Sequence, residues 1–397
     1  KVSLSAFKDE SILIKGARKF AFEKIVAKLQ QETHGSVLEI NLSAALHNLI
    51  AIKSRLTPKM KVMAMVKAFA YGSGTYEMAK LICNKVDYLA VAYTDEGVAL
   101  RNSGITTPIM VMNPEEDSYA QLLTNNLEPV VFSVNQLKSI AVFALENGNK
   151  NVDIHIELDT GMHRLGFMAE DLEELLQLIQ AFPHLRIASV FSHLSASDEA
   201  IHDNFTLHQF QQMKLMSEKI EKVIGYSPLK HISNTAATLR FTQENLDMVR
   251  IGIGIYGIDP TGSFKHLLEP VFTFKTNISQ IKTISANESI GYSRKSIADH
   301  ARRIAILSLG YADGLNRALS NGKGSVFING KLAPVTGNIC MDMCMVDVTD
   351  INCEEGDEAI IFGKERPIEE IAETLHTIPY EILTSISQRV KRVYVSE

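Results

Sequence analysis

The chain has 397 residues, 46% hydrophobic and 22% charged, which is the composition of a globular protein with room for two or three domains. A net charge of −6 does not indicate a basic surface for binding nucleic acid. The sequence contains no run of about 18 apolar residues, so no membrane-spanning helix is expected. The four cysteines lack CxxC spacing and nearby paired histidines, so neither a metal site nor a disulfide framework is expected, and a reducing cytoplasm fits best.

Residues 1–35 are too few for a domain of their own. The stretch DESILIKGARKFAFEKIVAKLQQETHG predicts a strand, a glycine turn and one amphipathic helix. It resembles the last strand and helix of Mur-type peptidoglycan ligases. Two interpretations stay open: residues 1–35 are a linker, or they are the remnant of a preceding ligase domain in a fusion protein.

From Ser36 onward, short apolar runs alternate with helix-length segments, a pattern typical of βα units around a parallel sheet. The predicted strands are Val37–Leu42, Val62–Val66, Tyr88–Tyr93, Pro108–Met112, Pro129–Ser133, Val152–Leu158, Ile187–His193, His231–Asn234 and Val249–Ile255. Nine such runs favour a (β/α)8 TIM-type barrel plus one extra strand, and the lack of GxGxxG after an early strand argues against a Rossmann fold. We therefore predict a barrel domain at 36–268.

The C-terminal third has short β-rich runs broken by Gly, Asn and Pro. These runs are VFTFKTNISQIKTI, RRIAILSLGYADG, GSVFINGKLAPVTG and EAIIFG. They predict a β domain at 269–397 that closes with a small helix near Ile368–Leu375. The predicted fold class is α/β + β, a barrel followed by a β-rich domain.

The stretch KVMAMVKAFAYGSG predicts a short buried strand that stops at Lys67 and is closed by two glycines. Barrel enzymes place their chemistry at the carboxyl ends of strands. A lysine that emerges there can be partly desolvated, which lowers its pKa and lets its amine attack a carbonyl as a Schiff-base lysine. A solvated surface lysine is the alternative interpretation.

The same stretch resembles the VKANAYGHG motif of the alanine racemase family, whose lysine holds pyridoxal 5'-phosphate (PLP). The resemblance implies that Lys67 carries PLP and that its strand is the first of the barrel. It also implies that the strand at 36–42 joins the second domain.

Two later strands end as a phosphate site requires. SNTAATLR offers the hydroxyls of Ser233 and Thr235, and RIGIG offers backbone N–H groups, although Ser-Asn-Thr alone is more often a helix N-cap. HISNTAATLRF and DMVRIGIGIYG resemble the phosphate-loop and arginine motifs of the family. The PLP-phosphate ligands that this resemblance implies are Tyr71, Thr235, Gly252 and Ile253.

The resemblance places Arg250 at the pyridine nitrogen of PLP. A guanidinium stays protonated, so it cannot accept the ring proton, and the pyridine nitrogen is left neutral. The ring is then a weaker electron sink, which limits transamination and suits a simple proton swap at Cα. Without the motif, Arg250 would be interpreted as a surface arginine before a strand.

LDTGMHRLGF resembles the DTGMGRLG motif of the family and implies that Arg164 lies near the PLP phenolic oxygen and the substrate carboxylate. Glu157 stands where many members have a carbamylated lysine that orients this arginine, and we expect its negative charge to keep that role. His193, in FSHLSASDE, matches the histidine that lies against the cofactor ring.

The second domain contains further matches. ESIGYSRK places Tyr292 at the second catalytic base, which in the family comes from the partner subunit of a dimer. The remaining implied residues are Met341 and Asp342 at the substrate carboxylate, Tyr380 at the phosphate, and Tyr311 and Arg317 at the entrance.

Motifs in family order along 36–397 imply a PLP-dependent, homodimeric alanine racemase of fold type III. It would interconvert L- and D-alanine with two bases and supply D-alanine for peptidoglycan in the cytoplasm; the first 35 residues would then belong to a ligase–racemase fusion. A racemase of broader specificity, acting on serine or basic amino acids, stays open. Tyr292 and Met341 argue against a PLP-binding homeostasis protein, and Arg250 argues against a fold type III decarboxylase.

Overall fold

The computed structural model describes residues 35–396, so the predicted linker or ligase remnant at 1–35 lies outside the described residues except for Gly35. The chain divides into two compact units. One is Ala45–Glu269, and the other joins the chain up to Ala44 to the part from Pro270 onward.

The strands of both units are numbered in chain order. They are β1 (Val37–Asn41), β2 (Lys61–Met65), β3 (Tyr88–Val91), β4 (Ile109–Val111), β5 (Glu128–Val131), β6 (Val152–Glu157), β7 (Leu185–Phe191), β8 (Leu229–His231), β9 (Met248–Ile251), β10 (Phe272–Ile284), β11 (Ser289–Ile290), β12 (Ser296–Ile297), β13 (Arg302–Leu307), β14 (Ser325–Ile328), β15 (Lys331–Thr336), β16 (Cys344–Asp347), β17 (Glu358–Phe362) and β18 (Lys391–Val395).

The helical segments alternate with the strands in the first unit and are sparse in the second. They are Leu42–Lys53, Lys67–Tyr71, Thr75–Ile82, Thr94–Asn102, Tyr119–Thr124, Val134–Glu146, Leu172–Ala181, Asp203–Ile224, Thr235–Arg240, Ile368–Leu375 and Pro379–Ser385, with short 3₁₀ turns at Glu116–Ser118, Ala200–His202, Lys265–Leu267, Tyr292–Arg294, Tyr311–Asp313 and Arg317–Leu319. Within residues 35–396, no helix is long and apolar enough to cross a membrane.

The first unit is a parallel eight-stranded sheet in the order β8-β7-β6-β5-β4-β3-β2-β9. Its two ends meet, because the Asp247 N–H donates to the Lys230 carbonyl at 3.0 Å and the Arg250 N–H donates to the Ser233 carbonyl at 2.9 Å. The sheet therefore closes as a barrel, and the predicted fold class is confirmed.

Burial explains why the sequence forms these elements. Parallel strands covered on both faces need continuous apolar runs, and four residues in a row, Val62–Met65, are buried in β2. The helix Val134–Glu146 instead buries one stripe, which includes Leu137, Ile140 and Ala144, and the Ser133 side chain caps its first turn by accepting from the Gln136 N–H. Strand and helix periods thus direct both layers towards one core.

The second unit is a mixed sheet in the order β13-β16-β15-β14-β17-β10-β1-β18, with β13 also pairing β10 and β11 pairing β12 separately. β1 runs antiparallel to β10 and parallel to β18. The strand at the start of the predicted barrel domain therefore pairs within the β-rich unit. β18 and the helix Pro379–Ser385 were not predicted as elements.

Several predicted strands extend too far at their carboxyl ends. The strand predicted to reach His193 ends at Phe191, and the one predicted to reach Ile255 ends at Ile251. The apolar pattern continues because the residues beyond the strands, such as Ile253, are also buried. The alternative interpretation of Arg250 as a surface arginine before a strand was wrong, because Arg250 lies inside β9 and is buried.

Helix packing against the barrel can be tested on the helix Val134–Glu146. Ile140 is fully buried, whereas Val142 on the same helix is 44% exposed. Ile140→Ala should lower the free energy of unfolding by about 2–5 kcal/mol because it leaves a cavity. Val142→Ala should change it by less than about 0.5 kcal/mol. Urea unfolding followed by circular dichroism measures both, and equal losses would contradict this packing.

Candidate active site

Lys67 is separated from the end of β2 by Val66 alone and begins an unusual backbone turn. Ala68, Phe69, Ala70 and Tyr71 all have φ between 48° and 56°, the left-handed region that non-glycine residues seldom adopt. A left-handed turn costs roughly 1–2 kcal/mol per residue. The structure thus holds the chain after Lys67 in a strained conformation, as is common at functional sites.

Glu96 stabilises this turn, and sequence reasoning did not identify it. Its carboxylate accepts from the Ala68 N–H at 2.7 Å and from the Ala92 N–H at 2.7 Å. It therefore links the residue after Lys67 to the loop that follows β3. The only sequence signal was its third position in the helix Thr94–Asn102, where a glutamate commonly reaches back to cap a helix.

The charges around Lys67 favour a neutral amine. Burial, followed by the Arg164 guanidinium, lowers the pKa of Lys67; Arg250 acts in the same direction, whereas Glu96 and Glu157 oppose the shift. A lysine with a depressed pKa is a better nucleophile and a better proton acceptor near neutral pH. The structure therefore brings the predicted Schiff-base lysine and both predicted arginines into one electrostatic cluster.

The Arg250 guanidinium is buried and held by five hydrogen bonds. Nη1 donates to His231 Nδ1 at 2.8 Å and to the His231 carbonyl at 3.4 Å. Nη2 donates to the Ser192 carbonyl at 2.8 Å, to the Ile232 carbonyl at 3.1 Å and to His193 Nδ1 at 3.2 Å. The Nε–H is left without a partner among residues 35–396, so one donor remains for a ligand.

Protonation states follow from these contacts. Burial lowers the pKa of Arg250 to about 10, so the group is still charged at neutral pH. Burial, then Arg250, Arg164 and Lys67, hold the pKa of His193 well below its usual value. His193 is therefore neutral, and it accepts from Arg250 at Nδ1.

The Arg164 loop is built by Asp159. Its carboxylate accepts from the N–H groups of Gly161 at 2.9 Å and His163 at 3.1 Å. Burial opposes ionisation, but these hydrogen bonds leave the pKa of Asp159 below its ordinary value. The charged aspartate thus fixes the turn that presents Arg164 beside the predicted site.

Glu157 ends β6 and is buried. Burial raises its pKa, while the guanidinium groups of Arg164 and Arg250 oppose that shift. Glu157 and Arg164 therefore interact electrostatically, although no ion pair within 4.0 Å joins them in the described chain. Whether Glu157 orients this arginine stays a prediction.

Three of the predicted phosphate ligands of the barrel, Tyr71, Thr235 and Gly252, lie close together. The Thr235 hydroxyl accepts from the Gly252 N–H at 3.1 Å, and a Cβ added to Gly252 would lie 2.5 Å from the Tyr71 hydroxyl. Asn234, not Ser233, caps the helix that follows, by accepting from the Ala237 N–H. The N-cap interpretation of Ser-Asn-Thr is therefore confirmed, with Asn234 as the capping residue.

Ser233 instead carries an orphan hydroxyl. Within residues 35–396, its buried Oγ has no hydrogen-bond partner. An unpaired buried hydroxyl is costly, and a ligand oxygen would satisfy it. Tight backbone, two hydroxyls and space that only glycine allows at position 252 together fit a phosphate group.

The other predicted residues lie in the β-rich unit. Tyr292 and Met341 are exposed, and with Asp342 they line a cavity of about 760 Å³. Asp342 is paired with Arg389 at 2.7 Å, an arginine that sequence reasoning missed. Tyr380 is half-buried in the helix Pro379–Ser385.

The two entrance residues also lie in this unit. Tyr311 and Arg317 begin separate 3₁₀ turns, and Tyr311 is exposed. Their roles, like those of the other residues in this unit, stay predictions.

A (β/α)8 barrel has a lysine at its mouth, two arginines near that lysine, and the hydroxyls of Ser233 and Thr235 at a neighbouring strand end. These features define a class of protein, a barrel that binds an anionic ligand at a reactive amine. The family profile of the alanine racemase N-terminal domain matches residues 40–260, and that of the C-terminal domain matches residues 271–394. The chain belongs to the alanine racemase family.

Individual proteins agree with the family profiles. The chain is 39% identical over 368 residues to alanine racemase 2 of Caldanaerobacter subterraneus subsp. tengcongensis, covering 90% of this chain and 94% of that one. The alanine racemase structure of Clostridium difficile 630 superposes with a TM-score of 0.86 at 36% identity, covering 92% and 97%. That of Bartonella henselae, with covalently bound pyridoxal phosphate, gives 0.82 at 28% identity, covering 91% and 99%.

The orphan hydroxyl can be tested by removing it. Ser233→Ala should leave the unfolding free energy of the cofactor-free protein unchanged or raise it by up to about 1 kcal/mol, because an unsatisfied buried group is lost. The same substitution should weaken PLP binding several-fold. Urea unfolding of the cofactor-free protein and a PLP absorbance titration measure the two effects.

Ser197→Ala is the matched control, because the buried Ser197 hydroxyl donates to Asn234 Oδ1 at 2.9 Å. That substitution should destabilise the protein by about 1 kcal/mol. If Ser233→Ala destabilises the cofactor-free protein as much as the control does, the orphan assignment is wrong.

Proposed function

We propose that the protein is a PLP-dependent alanine racemase that interconverts L- and D-alanine. The observation that carries the proposal is the grouping of Lys67, Arg164 and Arg250 at one end of the barrel in a member of this family. Relatives over nine-tenths of the chain are alanine racemases by name. We further propose that the enzyme is cytoplasmic and supplies D-alanine for peptidoglycan.

The barrel residues fit PLP. The Thr235 and Ser233 hydroxyls and the backbone at Gly252 would hold its phosphate, with Tyr71 alongside. Two phosphate charges suit a site whose nearest side chains include several cations. Tyr380 is proposed to bind the same phosphate from the β-rich unit.

The free Nε–H of Arg250 would point a donor at the ring nitrogen. Because a charged guanidinium cannot accept a proton, Arg250 would keep that nitrogen unprotonated. His193, neutral and fixed by Arg250, would lie against the ring.

Bound PLP would supply an electron sink for the negative charge left at Cα when a proton departs. The residues of the chain do the rest. Lys67 holds the cofactor and, with its lowered pKa, takes or returns a proton at Nζ. Arg164 binds the substrate carboxylate, and Met341 and Asp342 are proposed to complete that pocket.

Racemisation needs proton transfer on both faces of Cα, and one tethered lysine reaches only one face. We assign the second transfer to the Tyr292 hydroxyl. Its half of the site is proposed to come from the other subunit of a homodimer, so that each active site contains residues of both chains.

Replacing Lys67 tests the cofactor assignment. Lys67→Ala should abolish both racemisation and the covalent retention of PLP, because one amine serves both. Activity is measured with L- and D-alanine. Retention is measured by cofactor absorbance after borohydride reduction, which makes the lysine linkage permanent, and denaturing gel filtration.

Lys61→Ala is the control, since Lys61 lies at the opposite end of β2, where it pairs with Asp87. This variant should keep both properties. Covalent PLP retained in Lys67→Ala protein would move the cofactor lysine elsewhere.

Mixing inactive variants tests the shared site. Lys67→Ala and Tyr292→Phe proteins, each nearly inactive, should together regain up to about a quarter of native activity. Free subunit exchange makes about half the dimers hybrid, and each hybrid has one intact site.

Lys67→Ala mixed with the double variant Lys67→Ala/Tyr292→Phe should stay inactive, because no lysine remains. Subunit exchange is verified first with differently tagged chains. If verified hybrids of the two single variants show no activity, both bases belong to one chain.

A further inference from the structure

A buried line of polar side chains leads from Arg250 into the interior of the barrel. We call it the polar relay. Its members, in order of contact, are Arg250, His231, Ser189, His155 and Glu128. His231, Ser189 and His155 are completely buried. The alanine racemase assignment gives no role to the last three members.

The contacts of the relay are short and continuous. His231 Nε2 lies 2.9 Å from Ser189 Oγ, and Ser189 Oγ lies 2.6 Å from His155 Nδ1. His155 Nε2 lies 2.9 Å from Glu128 Oε2. The Tyr88 hydroxyl also hydrogen-bonds to Glu128, and burial followed by that carboxylate raises the pKa of Tyr88.

The relay crosses five neighbouring strands while it runs along the barrel axis. Glu128 opens β5, so it lies at the amino end of the barrel, whereas His231 closes β8 at the carboxyl end. His155 and Ser189 are direct neighbours in the register of β6 and β7. The relay thus connects the site to a carboxylate at the far end of the barrel.

With both imidazoles in their neutral form, the chemistry of the two ends fixes the direction of every hydrogen bond. Arg250 can only donate, so His231 Nδ1 accepts and its proton is on Nε2. Ser189 Oγ accepts a hydrogen bond from the His231 Nε2–H, and the Ser189 hydroxyl donates a hydrogen bond to His155 Nδ1. His155 then donates from Nε2 to the Glu128 carboxylate, which can only accept.

Burial agrees with this assignment. Burial is the main reason why the pKa of His231 lies well below its ordinary value, and Arg250 and His155 act in the same direction. The imidazole is therefore neutral. His231 also stacks on Phe191, with ring centroids 4.9 Å apart and planes 2° from parallel, so the ring cannot turn freely. Only the position of its single proton remains to be set.

We propose that Glu128 is a distal positioning residue: its carboxylate fixes the donor direction of the polar relay and so keeps His231 Nδ1 as the acceptor that holds Arg250. Without an acceptor-only end, the relay can reverse, and a donor on His231 would then face a donor on Arg250. The effect on rate rests on the proposed function, in which Arg250 meets the ring nitrogen.

The first test is Glu128→Gln in the PLP-loaded protein, since glutamine is isosteric but can donate or accept. The kcat for alanine should fall about ten-fold, the value of one charge-assisted hydrogen bond, while KM changes less than about two-fold. The kcat is calculated per folded, PLP-loaded subunit, so a loss of folded protein alone would leave it unchanged.

Asp153→Asn is the matched control. Asp153 lies near the amino end of β6, where it pairs with Arg186, and within residues 35–396 no hydrogen bond joins it to a member of the relay. Its substitution should leave kcat within about two-fold of the native value. Glu128→Asp, which keeps the carboxylate, should recover part of the lost rate.

A spectroscopic readout is independent of the reaction. In protein with ¹⁵N-labelled histidine rings, the His231 Nδ1 signal should be that of an unprotonated nitrogen, identified by its loss in His231→Asn. In Glu128→Gln protein it should move towards the protonated position. This result tests the relay even if the native protein proves not to racemise alanine, which activity assays of the native protein reveal separately.

Ser189→Ala interrupts the relay in the middle with little change of volume. In that background, Glu128→Gln should have no further effect on kcat, because its influence can no longer reach His231. If Glu128→Gln does not yield folded protein, Ser189→Ala alone should lower kcat and shift the His231 signal.

Native kcat with an unmoved His231 signal in Glu128→Gln protein, or in Ser189→Ala protein if the first variant does not fold, would overturn the proposal. Additive effects of the two substitutions would also overturn it. In either case the relay would only satisfy buried polar atoms.

Discussion

The enclosed guanidinium of Arg250 is the constraint on which the rest of the site depends. A buried cation costs several kcal/mol unless hydrogen bonds and nearby dipoles replace its water. Three backbone carbonyls, from Ser192, His231 and Ile232, and two imidazole nitrogens do so here. These acceptors lie at or just beyond the ends of β7 and β8, so one side chain of β9 joins the carboxyl ends of three strands.

Charge balance around Lys67 follows from that choice. Arg164 and Arg250 both disfavour a third cation, and the buried Glu157 offsets them only in part. The surplus of positive charge is satisfied best by an anionic ligand, and a phosphate together with a carboxylate supplies two anionic groups. The proposed cofactor, the proposed substrate and a lysine amine with a lowered pKa all suit this one electrostatic arrangement.

The sequence predicted the architecture well, because strands buried on both faces leave continuous apolar runs that can be counted. It also placed Lys67 and Thr235 at strand ends, since glycines and helix starts mark those positions. The strand ends themselves were less predictable. Buried loop residues such as Ile253 have the same composition as buried strand residues.

Other features had no local signal. The left-handed turn after Lys67 contains alanine, phenylalanine and tyrosine, none of which announces a positive φ. The hydrogen bonds of Arg250 and Glu128, and the one from the Ala68 N–H to Glu96, join residues that are distant in the chain, so their spacing carries no period. Only the closed barrel brings them together, and no pattern within a single segment can reveal contacts made by topology.

The strained turn has a consequence for protein engineering. Transferring the lysine to another (β/α)8 scaffold would require the backbone conformation of this turn, and not only the same side chains. The recipient loop would have to accept several non-glycine residues in the mirror-image helical conformation, at roughly 1–2 kcal/mol each. It would also need a carboxylate in the place of Glu96 to anchor the first of them. A lysine grafted onto a relaxed loop would keep its amine, but the loop would not hold that amine in the same orientation.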